Sequence, residues 1–270
     1  MQPLTIVTVT YNSSEVIAPL LESLHSPDWE ILVVDNGSQD GCQAIAVTFT
    51  HVRVIQNGNI GYGRAANVGF REANTPYVLL VNPDVAISRE TIDQMLACLK
   101  ANPDIGILGA NMTGEPAEGL VDVDWIVGAL MLIRREALVQ VGLFDEQIFL
   151  FYEESDMCNR FLQAGWRLAV LQSAVAEHDV GTSSPASLKV QKIKAWHFAW
   201  SKCYYYRKHF STAQYIRKCL TRVASSPFRI GSGLLTGNSR RVVGSAYELL
   251  GALAYLGGMS AFRKGVGRLT

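Results

Sequence analysis

The residues with chemical potential in this chain stand at the ends of apolar runs. Asp84 follows Tyr77-Val78-Leu79-Leu80-Val81, a run that reads as a strand buried on both faces in the middle of a sheet. Pro83 fixes φ and removes a donor, so the chain leaves the ladder and holds the Asp84 carboxylate at the sheet rim, a place suited to a divalent cation. A plain Asn-Pro-Asp turn fits the same three residues. Asp35 ends Ile31-Leu32-Val33-Val34 in the same way, and His178 emerges after Ala174-Val175-Ala176-Glu177. Glu153, Glu154 and Asp156 open a helix that Gly165 should close. Acids there offset the helix dipole, and Asp156 with Arg160 has the spacing of a surface ion pair. The preceding Phe149-Leu150-Phe151-Tyr152 would desolvate Glu153 or Glu154 and raise its pKa toward the range of a general base.

These groups need a scaffold that brings strand ends together. Leu4–Thr10 is β-branched nearly throughout and ends at Tyr11-Asn12-Ser13. A helix follows through Ile17, Leu20, Leu21 and Leu24, with Ser13 or Ser14 available as its cap. Val52–Ile55 is a third strand. It leads into Gly58-Asn59-Ile60-Gly61-Tyr62-Gly63-Arg64 and a helix from about 65 to 73. Such a loop suits an anion at a helix N-terminus and also suits a flexible turn with left-handed glycines. Its G-x-x-G-x-G order, after the third strand, disfavours a dinucleotide-binding dehydrogenase.

Ser88 should cap a helix carrying Ile92, Met95, Leu96 and Leu99. Ile105–Ala110 reads as a strand, residues 111–124 as an acidic loop, Trp125–Ile133 as a return to the sheet, and Arg167–Leu171 as a further strand. Strands alternating with helices, each with polar residues at its carboxyl end, predict a mostly parallel sheet with right-handed crossovers.

Composition divides the chain. Of 270 residues 49% are hydrophobic, enough for one large α/β core and an appended segment, and the overall formal charge is zero. Residues 1–188 carry 9 Lys and Arg against 23 Asp and Glu, a net −14, whereas residues 189–270 carry 15 against the single acid Glu248, a net +14. The five widely spaced cysteines read as reduced, mostly core thiols. Met1-Gln2-Pro3 runs straight into a strand, so no secretion signal is expected. In the basic region, Lys189–His209 mixes cations with Trp196, Phe198, Trp200 and Tyr204-Tyr205-Tyr206, as suits a helix on an anionic membrane surface. Nucleic acid is the weaker reading, since no nucleic-acid-binding motif accompanies these residues. Val242–Phe262, flanked by Arg240-Arg241 and Arg263-Lys264, is long enough to span a bilayer, but Glu248 and its glycines favour an interfacial or dimer-forming helix pair.

Several motifs in order carry a resemblance. Thr8-Val9-Thr10-Tyr11-Asn12, Val33-Val34-Asp35-Asn36-Gly37-Ser38, Asn59-Ile60-Gly61-Tyr62-Gly63-Arg64-Ala65 with Asn67, Asn82-Pro83-Asp84, Trp125 with Gly128-Ala129, Phe144-Asp145-Glu146, Tyr152-Glu153-Glu154-Ser155-Asp156 and His178 together resemble family 2 inverting glycosyltransferases of the GT-A fold. Within that family they are similar to bacterial rhamnosyltransferase-like enzymes of O-antigen and cell-wall polysaccharide synthesis.

The resemblance implies a GT-A catalytic domain over residues 1–185 with a Rossmann-like, mostly parallel sheet; its motifs stop there, and the basic, aromatic composition of 186–270 reads as a mostly helical region for membrane association or dimerisation. The resemblance also implies a UDP- or dTDP-sugar donor contacted by Thr10, Tyr11, Asn12, Asp35, Gly61, Gly63, Arg64, Asn67, Asn82 and Asp84. Mg²⁺ or Mn²⁺ would sit on Asp84, with His178, because Asn82 replaces the first acid of the usual D-x-D. Glu154 would be the base, with Glu153 and Asp156 as rivals, and Trp125 and Gly128 would lie on the side of a glycan or lipid-linked saccharide acceptor. The location implied is the cytoplasmic face of the membrane. A sugar nucleotidyltransferase would want a glycine-rich basic signature after the first strand, which Tyr11-Asn12-Ser13-Ser14 lacks, and a non-catalytic nucleotide-sugar-binding module would need the base pocket without Glu154.

Overall fold

A computed structural model describes residues 4–24, 26–178 and 187–262. Met1-Gln2-Pro3 and the basic pair Arg263-Lys264 lie outside the described residues. Two compact units are present: the described parts of 1–144 and 154–184 form one, and those of 145–153 and 185–270 the other. The second unit thus takes the phenylalanine-rich stretch 145–153 as well as the basic region.

In the first unit the elements follow as β1 (Leu4–Thr10), α1 (Ile17–Ser23), β2 (Trp29–Asp35), α2 (Cys42–Ala46), β3 (Val52–Gln56), α3 (Tyr62–Glu72), β4 (Tyr77–Val81), β5 (Val85–Ala86), α4 (Arg89–Ala101), β6 (Ile105–Asn111), β7 (Leu120–Asp122), β8 (Leu130–Arg134), α5 (Arg135–Val141), α6 (Glu153–Gln163, whose first residue belongs to the other unit), β9 (Arg167–Val175) and β10 (Glu177–His178). Eight strands form one sheet in the order β3-β2-β1-β4-β8-β6-β9-β7. β1 lies parallel to β2 and β4, and β2 parallel to β3, with Thr10 opposite Asp35 and Asp35 opposite Gln56. The carboxyl ends of these four strands therefore open on one edge. β8 runs antiparallel between β4 and β6, pairing Val81 with Leu130, which brings the loop before β8 to that same edge.

Alternation along β1 explains the two cores. Leu4 and Ile6 join Ile17, Leu21, Ile92 and Met95 on one face, while Val7 and Val9 join Ala65, Phe70, Met157 and Phe161 on the other. Helices on both faces bury every residue of β1 and β4.

Three expectations are corrected here. Neither Ser13 nor Ser14 caps α1, which starts without a side-chain cap: the Ser13 hydroxyl accepts from Tyr11 N and Ser14 N donates to Asp40. Residues 111–124 are not all loop, since β7 pairs antiparallel with β9 at the sheet edge. Trp125–Ala129 stays outside the ladder, and only Leu130–Arg134 joins it.

The second unit holds α7 (Leu188–His209), α8 (Thr212–Leu235) and α9 (Ser239–Leu256). α9 packs against both α7 and α8, and in α7 Trp196, His197, Trp200 and Cys203 are buried, so the tryptophans expected at a membrane surface lie in a core. α9 crosses so closely that a Cβ on Gly251 would meet the Trp196 carbonyl, so this glycine serves packing within the chain. Glu248 is clamped between Arg222 and Arg229. The stretch 145–153 docks onto α7, with Ser201 Oγ donating to Leu150 O at 2.9 Å, Phe149 stacked on His197, and Asp145 accepting from Tyr204 and Lys208. The five cysteines are free thiols, four of them buried. Among the described residues no helix is long and apolar enough to cross a membrane.

Candidate active site

The rim of the first unit is built from strand ends that hold one another. Asp35 is buried, its Oδ1 accepting from Thr10 Oγ1 at 3.0 Å and its Oδ2 from Ser38 N at 3.1 Å. Asn36 Oδ1 accepts from Ile60 N at 3.0 Å, tying the end of β2 to the loop that feeds α3. Tyr11 stands beside the Asn59 and Asn12 side chains, and burial pushes its phenol up against those hydrogen bonds. Gly61 precedes α3 with φ of +90°, open to glycine and strained for any other residue. No side chain caps α3, so its first-turn N–H groups face an anion-favouring dipole end, with Arg64 in that turn. Gly63 is inside the helix and has an ordinary backbone.

Past β4, Asp84 is buried at the carboxyl end of the sheet. β5 pairs antiparallel with β10, setting His178 opposite Val85, and this register brings His178 Nε2 to 3.3 Å from Asp84 Oδ1. Bonds of about 2.2 Å at a right angle separate two cation ligands by about 3.1 Å, so this spacing fits two ligands of one divalent cation as well as an ordinary His–Asp contact. Among the described residues no cluster of three or more His, Cys, Asp or Glu offers a complete protein cage. An apolar cleft of about 720 Å³ adjoins Asp84, lined also by Val16, Leu20, Val85 and Ala176.

Glu154 lies in the same unit as Asp84, whereas Glu153 is buried in the other unit; the chain passes between the two at this bond. Phe151 and Tyr152 just before it have φ of 67° and 70°, left-handed values that cost non-glycine residues energy. Burial raises the Glu154 pKa, against hydrogen bonds from its own N–H, from Ser155 and from Trp125. Trp125 is nearly half exposed, and Gly128 lies so close that a Cβ there would stand 3.2 Å from Glu154 Cβ. Gly128→Ala should therefore shift Glu154 by a few tenths of an ångström.

Four expected site residues have structural partners within the protein. Asp156 is 0% exposed and binds Arg160 Nε at 2.8 Å, an internal pair rather than a surface one. Arg160 in turn donates to the carbonyls of Val141, Gly142 and Leu143, so this acid anchors an internal network. Asn67 clamps the Phe144 backbone with two hydrogen bonds of 2.9 Å. Thr10 is buried and holds Asp35. Asn12, at φ of +52°, accepts from Gln39 N and donates its own N–H to Ser38, fixing two rim loops. Conversely, Tyr62 was not singled out by type or spacing, yet its hydroxyl donates to Asn82 Oδ1 at 2.8 Å and reaches Gly128 O at 3.3 Å, joining α3, the end of β4 and the Trp125 loop. Its position between Gly61 and Gly63 was the available signal.

The sheet order reverses direction between β1 and β4, which makes this an open α/β sheet with its crevice at the carboxyl edge, where ligands of such sheets gather. The family model for glycosyl transferase family 2 matches residues 5–142, just over half of the chain, and the protein belongs to that family. It is a glycosyltransferase of the GT-A fold.

Among curated relatives, an N-acetylglucosaminyl-diphospho-decaprenol L-rhamnosyltransferase of Mycobacterium tuberculosis is 29% identical over 68% of this chain and 79% of its own length. Rhamnosyltransferase WbbL of Escherichia coli is 26% identical over 64% of this chain and 82% of its own. Among solved structures, a mannosyltransferase of Pyrobaculum calidifontis in complex with GDP-Man and Mn²⁺ superposes with a TM-score of 0.62 at 17% identity, covering 94% of this chain and 87% of that one. At that identity the likeness concerns the fold.

Proposed function

We propose that this protein transfers a sugar, L-rhamnose by likeness to its relatives, from a dTDP- or UDP-sugar to a hydroxyl of a lipid-linked saccharide, inverting the anomeric configuration, in cell-surface polysaccharide synthesis at the cytoplasmic face of the membrane. The observation that carries the reading is Glu154, a carboxylate whose pKa burial raises, held between Trp125 and Gly128 in the unit that also presents Asp84. A base with raised pKa accepts a hydroxyl proton near neutral pH.

In this account Asp35 accepts from the ring N3–H of uracil or thymine while Thr10 and Ser38 keep it in place, and Tyr11 flanks the base. The uncapped start of α3 with Arg64 faces the diphosphate. Asp84 and His178 would hold Mg²⁺ or Mn²⁺, which when bound offsets the charge of the departing diphosphate. Because the described residues offer no complete protein cage, cation and donor should bind together. Glu154 takes the acceptor proton as the acceptor oxygen attacks the anomeric carbon opposite the nucleotide, and Trp125 offers a face to the acceptor sugar.

Nucleotide release from a panel of nucleotide sugars, with and without a polyprenyl-diphosphate-linked saccharide, tests this: acceptor-dependent release from a dTDP- or UDP-sugar is the expected result. Asp35→Ala should weaken donor binding about tenfold to a hundredfold, as loss of a charge-assisted hydrogen bond does. A preference for guanosine or cytidine donors would contradict the base assignment.

A further inference from the structure

We infer that α8 is a membrane-docking helix that inserts its outer face among the lipids of an anionic bilayer, an inference that rests on the lipid-linked acceptor proposed above. Its inner face is fixed within the second unit: Cys219, Ser226 and Gly233, spaced by seven, are its buried residues, and a Cβ on Gly233 would press on Val242.

The opposite face is apolar and open. Ile216, Leu220, Phe228, Leu234 and Leu235 are all exposed, Phe228 at 77% and Leu235 at 91%. At about 100° per residue these side chains fall within an arc of about 120°, on the side away from the buried line. A 24-residue helix that leaves its largest apolar groups in water is covered by something in use.

Charge selects the occupant. α8 carries Arg217, Lys218, Arg222 and Arg229 and no acid. Arg222 and Arg229 turn to Glu248, while Arg217 is exposed within the apolar arc and Lys218 lies over the Tyr206 ring at 5.6 Å. Neighbouring α7 adds Lys202, whose pKa is lowered by burial and by the adjacent Arg222 and Lys218. A second copy applied through the same face would bring a second Arg217 to it, with no acid on the helix to meet either. Anionic headgroups meet exposed Arg217 directly, and the acyl boundary takes the leucines and phenylalanine. With no helix among the described residues able to cross a bilayer, the mode is surface insertion.

The test uses the full chain and vesicles of phosphatidylcholine with phosphatidylglycerol, pelleted at low and at high salt. Electrostatic attraction is screened by salt and apolar insertion is not, so wild-type protein should keep part of its binding at high salt. Phe228→Gln with Leu235→Gln, two exposed positions whose change leaves the fold intact, should remove that salt-resistant part, weakening partition at least about a hundredfold. Donor-dependent nucleotide release in vesicle-free solution should be the same in both proteins. It reports on the enzymatic reading independently of lipid. In vesicles of brominated lipid, Phe228→Trp should show quenching beyond that of the native tryptophans. Equal pelleting of the double variant and wild type, or wild-type binding wholly abolished by salt, overturns the insertion. A salt-resistant dimer lost in the double variant, without vesicle binding, overturns it in favour of a second copy.

Discussion

Glu154→Gln should lower sugar transfer by roughly two to four orders of magnitude, the usual cost of losing a general base, while donor affinity stays near that of wild type. Glutamine keeps the shape against Gly128 and can still accept from Trp125, so the change removes basicity and little else.

The wild-type pH profile carries the same signature. Burial raises the Glu154 pKa, so the ascending limb of kcat should lie above the ordinary glutamate range, and the variant should lose that limb. Stability gives an independent sign. A carboxyl whose folded pKa exceeds its unfolded value contributes stability below the unfolded pKa and loses it as pH rises through the folded one. Ionised Glu154 therefore weighs against the fold at neutral pH, and Glu154→Gln should melt at an equal or higher temperature there. A Glu153→Gln variant that loses activity while Glu154→Gln keeps it would move the base by one residue.

Asp84→Ala should reduce transfer by about three orders of magnitude or more and weaken binding of the nucleoside diphosphate in the presence of Mn²⁺, because stabilisation of a leaving diphosphate accounts for several kcal/mol of the barrier. His178→Ala should retain some activity, since the carboxylate remains. The pair sits at 3.3 Å because β10 docks against β5, so the two variants should couple rather than add. Calorimetric titration of nucleoside diphosphate with and without Mn²⁺ reads the effect without turnover. Turnover in wild type untouched by EDTA would remove the metal from the account.

The strands that place these groups were legible because burial on both faces demands unbroken apolar runs: Leu4–Thr10 and Tyr77–Val81 needed no further information. β7 was hidden because its three residues pair along only one edge and expose acid, and five-residue α2 is too short to show a period.

The same limit divided the site. Asp35, Asp84 and His178 follow from strand ends, whereas Asn67 and Asp156 have the types and setting of ligands but spend their hydrogen bonds inside the protein. The backbone that Asn67 clamps lies 77 positions away, a distance that local pattern cannot see. α7 shows the converse. Ile193, Trp196, Trp200 and Cys203 carry a helical core period, and the mixture of aromatics with lysines drew attention to the surface instead. For α8 the apolar period is readable, but which face the other helices cover is settled only in three dimensions.

The central claim is an inverting transfer from a uridine or thymidine diphosphate sugar. Incubating the full chain with dTDP-L-rhamnose, Mn²⁺ and a polyprenyl-diphosphate-linked N-acetylglucosamine, then reading the product's anomeric centre by NMR, tests it most directly. The account predicts a new glycoside whose anomeric configuration is opposite to that of the donor, formed by wild type and not by Glu154→Gln. A product that retains the donor's configuration, or one formed equally well by the variant, would contradict it.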